Sequence, residues 1–166
     1  MKKILSLLIL VFIISMAGIA QKNNASTAKT ACTEEVNSML DMFYLAYNTK
    51  DIKAFTSFLT PEGLYCGTDS KELWDKTGYV TLMTATFADP AFAPNIHVML
   101  REIRLSPDGN SAIVVDQFFL DPDNLLAVRQ VIHLVKSGNK WLSDFISTSF
   151  VPDNSALNLI YDALKW

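Results

Sequence analysis

Arg129 is the most conspicuous polar group in the second half of this chain. Its neighbours are Val128, Val131 and Ile132, so a strand there carries a guanidinium into apolar surroundings. Such a group either pairs with a carboxylate, Asp116 or Asp144 being the candidates, or clamps the carboxylate or phosphate of a ligand with its two-pronged fork. Asp116 interrupts the apolar stretch 112–120 and shares a side with Val114 and Phe118 by strand alternation. An acid in such surroundings can serve as a general base, or it can face water at an edge or a dimer contact. His133 falls on the same strand side as Arg129 and Val131. With His97 it is a candidate proton shuttle near neutral pH, against the alternative of a satisfied structural histidine.

Aromatic residues add a second theme. Tyr44, Tyr47, Tyr65 and Trp74 are large amphipathic rings that can wall a cavity and present a polar tip, or simply pack a core. Ser143, Ser147 and Ser149 alternate on one side of the last strand and can offer hydroxyls to a ligand. No nucleophile elbow, phosphate-cradling glycine loop or dinucleotide fingerprint is present. Two cysteines and two histidines without close spacing do not make a structural zinc site. No metal and no cofactor is therefore expected. Cys32 and Cys66 can pair in an oxidising compartment, provided their Cα atoms come within about 7 Å.

The elements that must position these groups follow from periodicity. Val36, Met39, Leu40, Phe43 and Tyr47 form one face of a helix capped by Thr33 and ending near Asn48. Asp51 caps a second, short helix that buries Ile52, Phe55, Phe58 and Leu59 and stops at Pro61. Residues 63–66 read as a short strand. Asp69 and Glu72 have capping-box spacing, which predicts a third helix from about Ser70, carrying Leu73 and Trp74, kinked at Gly78 and ended by Asp89-Pro90. Four strands follow at 95–105, 111–120, 126–136 and 141–150. They are separated by turns at 107–110, 121–124 and 137–139, a pattern of antiparallel neighbours. Asp153 or Asn154 caps a last helix containing Leu157, Ile160, Tyr161 and Leu164. The fold class is α+β: a curved antiparallel sheet, three N-terminal helices on its concave face and a short C-terminal helix.

Lys2 and Lys3, the apolar run 4–14 and the small residues Gly18-Ile19-Ala20 have the form of a secretory signal cut after Ala20. The expected organisation is a signal over 1–20, a flexible lead-in over 21–32, one domain over 33–152 and the terminal helix over 153–166. Export to the periplasm or beyond follows, with no membrane attachment after cleavage. Losing Lys2 and Lys3 takes the formal charge from −3 to −5. An acidic chain with no basic run argues against nucleic acid as a partner.

The order of elements, Gly67-Thr68-Asp69 followed by Glu72 and Trp74, Arg129 twelve residues before Trp141, and Ser149-Phe150-Val151-Pro152 together resemble the SnoaL-like branch of the nuclear-transport-factor-2-like superfamily. The resemblance covers about 33–154. It implies a cone-shaped α+β barrel, usually dimeric, with a pocket between helices and concave sheet. Two departures bear on chemistry. Ser147 stands where the group often carries a histidine. The catalytic carboxylate of ketosteroid-isomerising members falls near Gly67, and the nearby Asp69 reads as a helix cap. The leading expectation is therefore an exported, non-catalytic or weakly catalytic domain that binds a small molecule through Tyr47, Tyr65, Trp74, Arg129, His133 and Ser147. The alternatives are an isomerase, cyclase or hydrolase using His133 or Asp116 as acid/base, and a homodimeric interaction module with Phe119, Phe145 and Phe150 on its exposed face.

Overall fold

The computed structural model describes residues 27–119 and 127–163. The segment expected to be a signal, the turn at 121–124 and Leu164 lie outside the described residues. Helix α1 runs over 27–48, and α2 is Ile52–Ser57. Strands β1 (Leu59–Cys66) and β2 (Leu73–Asp75) precede α3 (Lys76–Ala88). Strands β3 (His97–Leu105), β4 (Ser111–Phe119), β5 (Ala127–Ser137) and β6 (Lys140–Val151) follow. A 3-10 turn at Asn154–Ala156 leads into α4, Leu157–Ala163. The six strands form one curved sheet in the order β2-β1-β6-β5-β4-β3. All pairings are antiparallel except β1 with β6, which is parallel.

The α+β architecture agrees with the sequence reading, and several boundaries differ. α1 begins by residue 27, so 27–32 is helical rather than a flexible lead-in; Ala28, Lys29 and Ala31 are strong helix formers. Thr33 therefore lies inside the helix, where its hydroxyl donates to the Lys29 carbonyl at 3.0 Å instead of capping. Asp51 does cap α2, its carboxylate accepting from the Ala54 N–H at 2.9 Å. β1 starts at Leu59, earlier than expected, because an irregular stretch in its pairing with β6 between Leu59 and Leu64 tolerates Pro61.

The largest difference concerns 70–75. The Asp69–Glu72 spacing does not start a helix. Glu72 Oε2 accepts from the N–H groups of Thr68 (2.8 Å) and Asp69 (3.0 Å), closing a turn that returns Leu73–Asp75 to β1 as strand β2. The cap of α3 is Asp75, whose Oδ1 accepts from Gly78 N at 2.8 Å. Trp74 consequently sits on a strand, and Gly78 lies in the first turn of α3.

α1 crosses the concave face and buries Val36, Met39, Leu40, Phe43, Tyr44 and Ala46, the predicted stripe with Tyr44 and Ala46 added. It is fastened at three levels. Glu35 accepts from Trp141 Nε1 (3.0 Å) and Lys136 Nζ (2.8 Å). Arg101 on β3 donates from Nε to Asp116 Oδ1 (3.0 Å) and from Nη1 to Asp41 Oδ1 (2.8 Å). Asn48 exchanges two hydrogen bonds with the backbone of Ile96. The middle fastening joins a fully buried carboxylate to a guanidinium whose side chain is 14% exposed. Removing one partner of such a pair strands the other charge in the interior. Arg101→Met is expected to lower unfolding free energy by about 3–5 kcal/mol in denaturant melts. Arg101→Met with Asp116→Leu is expected to recover part of that loss, and a single variant as stable as the parent would refute the pairing as a structural element.

Candidate functional site

Cross-strand register brings four polar residues into one row on the otherwise apolar concave face. Arg101 on β3 pairs with Asp116 on β4, Asp116 with Gln130 on β5, and Gln130 with Thr148 on β6. Tyr44 descends from α1 onto this row. Its hydroxyl donates to Gln130 Oε1 at 3.0 Å, and Gln130 Nε2 donates to Thr148 Oγ1 at 3.1 Å. The Arg101 guanidinium also lies 5.9 Å from the Tyr44 ring centroid. Burial pushes the Asp116 carboxyl above its ordinary value while Arg101 pulls it back. Burial, together with the Asp116 charge, likewise holds the Tyr44 phenol in its neutral form well past its usual range.

At the Thr148 end of the row is a cavity of about 180 Å³ between α1, α3 and the sheet. Phe43, Tyr44 and Tyr47 line it from α1, and Tyr79, Leu82 and Met83 from α3. Phe118, Gln130 and Thr148 form the floor, while Gly67, Thr68, Glu72 and Trp74 form the rim. Tyr79 is the organising ring: it stacks on Tyr65 at 4.8 Å and on Trp74 at 6.0 Å. Gly78 permits this approach, since a Cβ there would lie 3.1 Å from Trp74 Cδ1. Burial raises the Tyr47 phenol to about 12 and that of Tyr79 higher still, so both rings stay uncharged. Larger depressions exist elsewhere on the surface, but this cavity is where the aromatic rings and the polar row converge.

Three of the rings named from sequence, Tyr44, Tyr47 and Trp74, line this cavity. Tyr65 stands behind it: it is buried, its ring backs Tyr79 and its hydroxyl donates to the Ser143 carbonyl at 3.1 Å. Arg129, His133 and Ser147 are elsewhere. On β5 the buried residues are Val128, Gln130, Ile132 and Leu134, so Arg129 and His133 project from the opposite, outer face. Arg129 is exposed there and donates from Nη2 to Gln117 Oε1 at 3.2 Å rather than meeting Asp116 or Asp144. His133 Nδ1 lies 2.6 Å from Asp144 Oδ1. Asp116 and His133 thus sit on opposite faces and share no proton site. His97 is exposed at the start of β3, with Nε2 2.9 Å from Asn95 Oδ1.

The serines separate for a different reason. The β5–β6 register shifts between His133 and Leu134, with Asp144 as the extra residue. Such a bulge reverses which residues face inward. Ser143 is buried on the concave side, whereas Ser147 lies opposite Val131 and Cys66 on the outer face. Phe150 pairs with Val128 and belongs to the concave side, unlike Phe119 and Phe145. Cys32 and Cys66 are both free thiols; Cys32 is on α1 beside the turn at Gly109, and Cys66 ends β1. Among the described residues no three His, Cys, Asp or Glu side chains could hold a metal ion together.

Gln130, Thr148, Tyr79 and Glu72 carry the site, and the sequence reading did not select them for it. The signal for Gln130 and Thr148 was their interruption of apolar alternation in line with Asp116. Gly67 makes the rim possible, because a Cβ there would come within 2.2 Å of Glu72 Oε2 and 2.9 Å of Glu72 Cβ. Gly67→Ala is expected to destabilise the fold by about 1–3 kcal/mol and to increase hydrogen exchange at the Thr68 and Asp69 amides. Unchanged exchange there would show that Glu72 does not hold the rim.

A family model described as a SnoaL-like domain matches residues 36–152. Comparison with curated proteins finds no match. Solved structures share the fold at low identity. An NTF2-like protein of unknown function from Pseudomonas putida superposes with a TM-score of 0.65 at 12% identity, covering 76% of this chain and 92% of that one. A domain of unknown function with a cystatin-like fold from Nostoc punctiforme gives 0.66 at 11% identity, with 82% and 88% covered. A putative calcium/calmodulin dependent protein kinase II association domain from Xanthomonas campestris gives 0.59 at 21% identity, with 72% and 87% covered.

Proposed function

This chain belongs to the SnoaL-like domain family, and on that footing we propose that it is an exported, non-catalytic domain binding a small, partly apolar molecule. The observation that carries the reading is the cavity of about 180 Å³, walled by aromatic rings and floored by the Tyr44–Gln130–Thr148 hydrogen-bonded series. Its volume is below the roughly 300–1,000 Å³ of pockets for drug-sized ligands, so the ligand is smaller than these. General acid–base catalysis needs a group within hydrogen-bond reach of the reacting proton. The two candidates for that role fail geometrically in this cavity: Asp116 is held by Arg101 beneath α1, and His133 is on the far face.

Native mass spectrometry of the protein, recovered from the extracytoplasmic compartment after expression of the whole chain, tests this directly. The expected result is a chain beginning at Gln21 that carries one small bound mass. That mass is expected to be lost in Leu82→Trp, where an indole fills the cavity. A chain retaining residues 1–20, or a bound mass indifferent to Leu82→Trp, would each overturn its part of the reading.

A second reading concerns assembly. Leu64, Leu100 and Ile113 are 42%, 50% and 43% exposed and lie on the outer sheet face, with Val115, Val131 and Phe145 half-buried between them. An apolar sheet face of this kind calls for a cover, and we propose a second copy of the chain. Sedimentation equilibrium is expected to give a dimer for the parent and a monomer for Phe145→Glu. A parent that stays monomeric at micromolar concentration would end this proposal.

A further inference from the structure

We propose that the cavity is an aromatic cage for a small alkylated ammonium ion of about the size of choline; this rests on the pocket reading above and specifies its ligand class. Three features of the lining point the same way. Six of its residues are aromatic: Phe43, Tyr44, Tyr47, Trp74, Tyr79 and Phe118. The faces of such rings carry a negative quadrupole and attract a cation within about 6 Å, most strongly at Trp and most of all where water is excluded. The phenols among them stay neutral because burial disfavours their ionisation.

The second feature is charge. Among the lining residues Glu72 alone is charged, and it is an anion. Its Oε2 holds the Thr68 and Asp69 amides, while Oε1 takes part in neither bond. Among the described residues no lysine or arginine lines the cavity, so a buried anionic ligand would lack a partner there, whereas a buried cation would have one. Arg101, whose guanidinium lies 5.9 Å from the Tyr44 ring centroid, is already paired with Asp116 and Asp41. Tyr79 stacks on both Tyr65 and Trp74, and Phe43 stacks on Phe55, so the cation would meet the other face of Trp74 together with the rings of Tyr44 and Tyr47.

The third feature is size. About 180 Å³ corresponds to roughly six water volumes of about 30 Å³ each, room for a trimethylammonium group and a short substituent. Thr148 supplies a hydroxyl on the floor for a polar group on that substituent.

Titration calorimetry of the mature protein with choline and with its neutral carbon isostere, 3,3-dimethylbutan-1-ol, separates charge recognition from shape. Choline is expected to bind about tenfold more tightly than the isostere. Glu72→Gln, which keeps an oxygen for the two amides, is expected to weaken choline about fivefold and leave the isostere unchanged. Trp74→Leu, checked by circular dichroism, gives a second test that leaves Glu72 and its two amide bonds unchanged in sequence and is expected to lose most of the preference for choline. Equal binding of the two compounds would overturn the cage while keeping the pocket. No binding of either, with a bound mass still found by native mass spectrometry, would do the same. No binding of either and no bound mass would overturn both readings.

Discussion

Burying Asp116 is the constraint from which much of this structure follows. A carboxylate with no solvent exposure, under a helix and between apolar strands, requires an opposite charge and hydrogen bonds. Arg101 meets the requirement from the adjacent strand, and its remaining donors reach Asn37 and Asp41 on α1. The helix is therefore set at one height and rotation over the sheet. Tyr44 and Tyr47 follow Asp41 in three-residue steps, Phe43 lies one turn before Tyr47, and all three project onto the concave face. Tyr44 then meets Gln130, Gln130 meets Thr148, and the polar series ends at the cavity floor. What began as a candidate general base is better understood as the charge that registers helix against sheet.

The broad architecture was legible because it rests on local periodicity. The apolar stripe of α1, the Asp51 cap and four long strands with turn residues between them are signals carried within single elements. Two kinds of feature were hidden. One is competition between local and non-local pairing: Asp69 and Glu72 have the spacing of a helix cap, yet Leu73–Asp75 gains more by pairing with β1, so the glutamate closes a turn instead. The other is the absolute facing of a strand. Alternation grouped Arg129 with Val131 and His133, and separately Asp116 with Val114 and Phe118, and each grouping agrees with the structure, but it left open an Arg129–Asp116 pair that the opposite facing of the two groups rules out. It does not state which side meets the helices when both carry valine and isoleucine. The Asp144 bulge adds a further reversal that no alternation count contains.

The sheet consequently divides the chemistry of this chain in two. On the concave side are the buried Arg101–Asp116 pair, neutral phenols, an amide and a hydroxyl, with the Glu72 carboxylate at the cavity rim. On the outer side are the polar pairs His133 with Asp144 and Arg129 with Gln117, spread over a half-apolar surface.

The two surfaces are nonetheless mechanically joined through β5 and β6, because each strand presents alternate residues to both. Gln130 on the cavity side lies between Arg129 and Val131 on the outer side, and Thr148 lies between Ser147 and Ser149. A shift of either strand that repacked the outer face would move the cavity floor with it, since interiors at this packing density do not deform one side at a time. The hydrogen bonds from Tyr44 to Gln130 and from Gln130 to Thr148 oppose such a shift by tying the floor to α1, and α1 is in turn held by Arg101 and Asp116. The buried ion pair thus steadies the cavity floor from a distance, without lining the cavity itself.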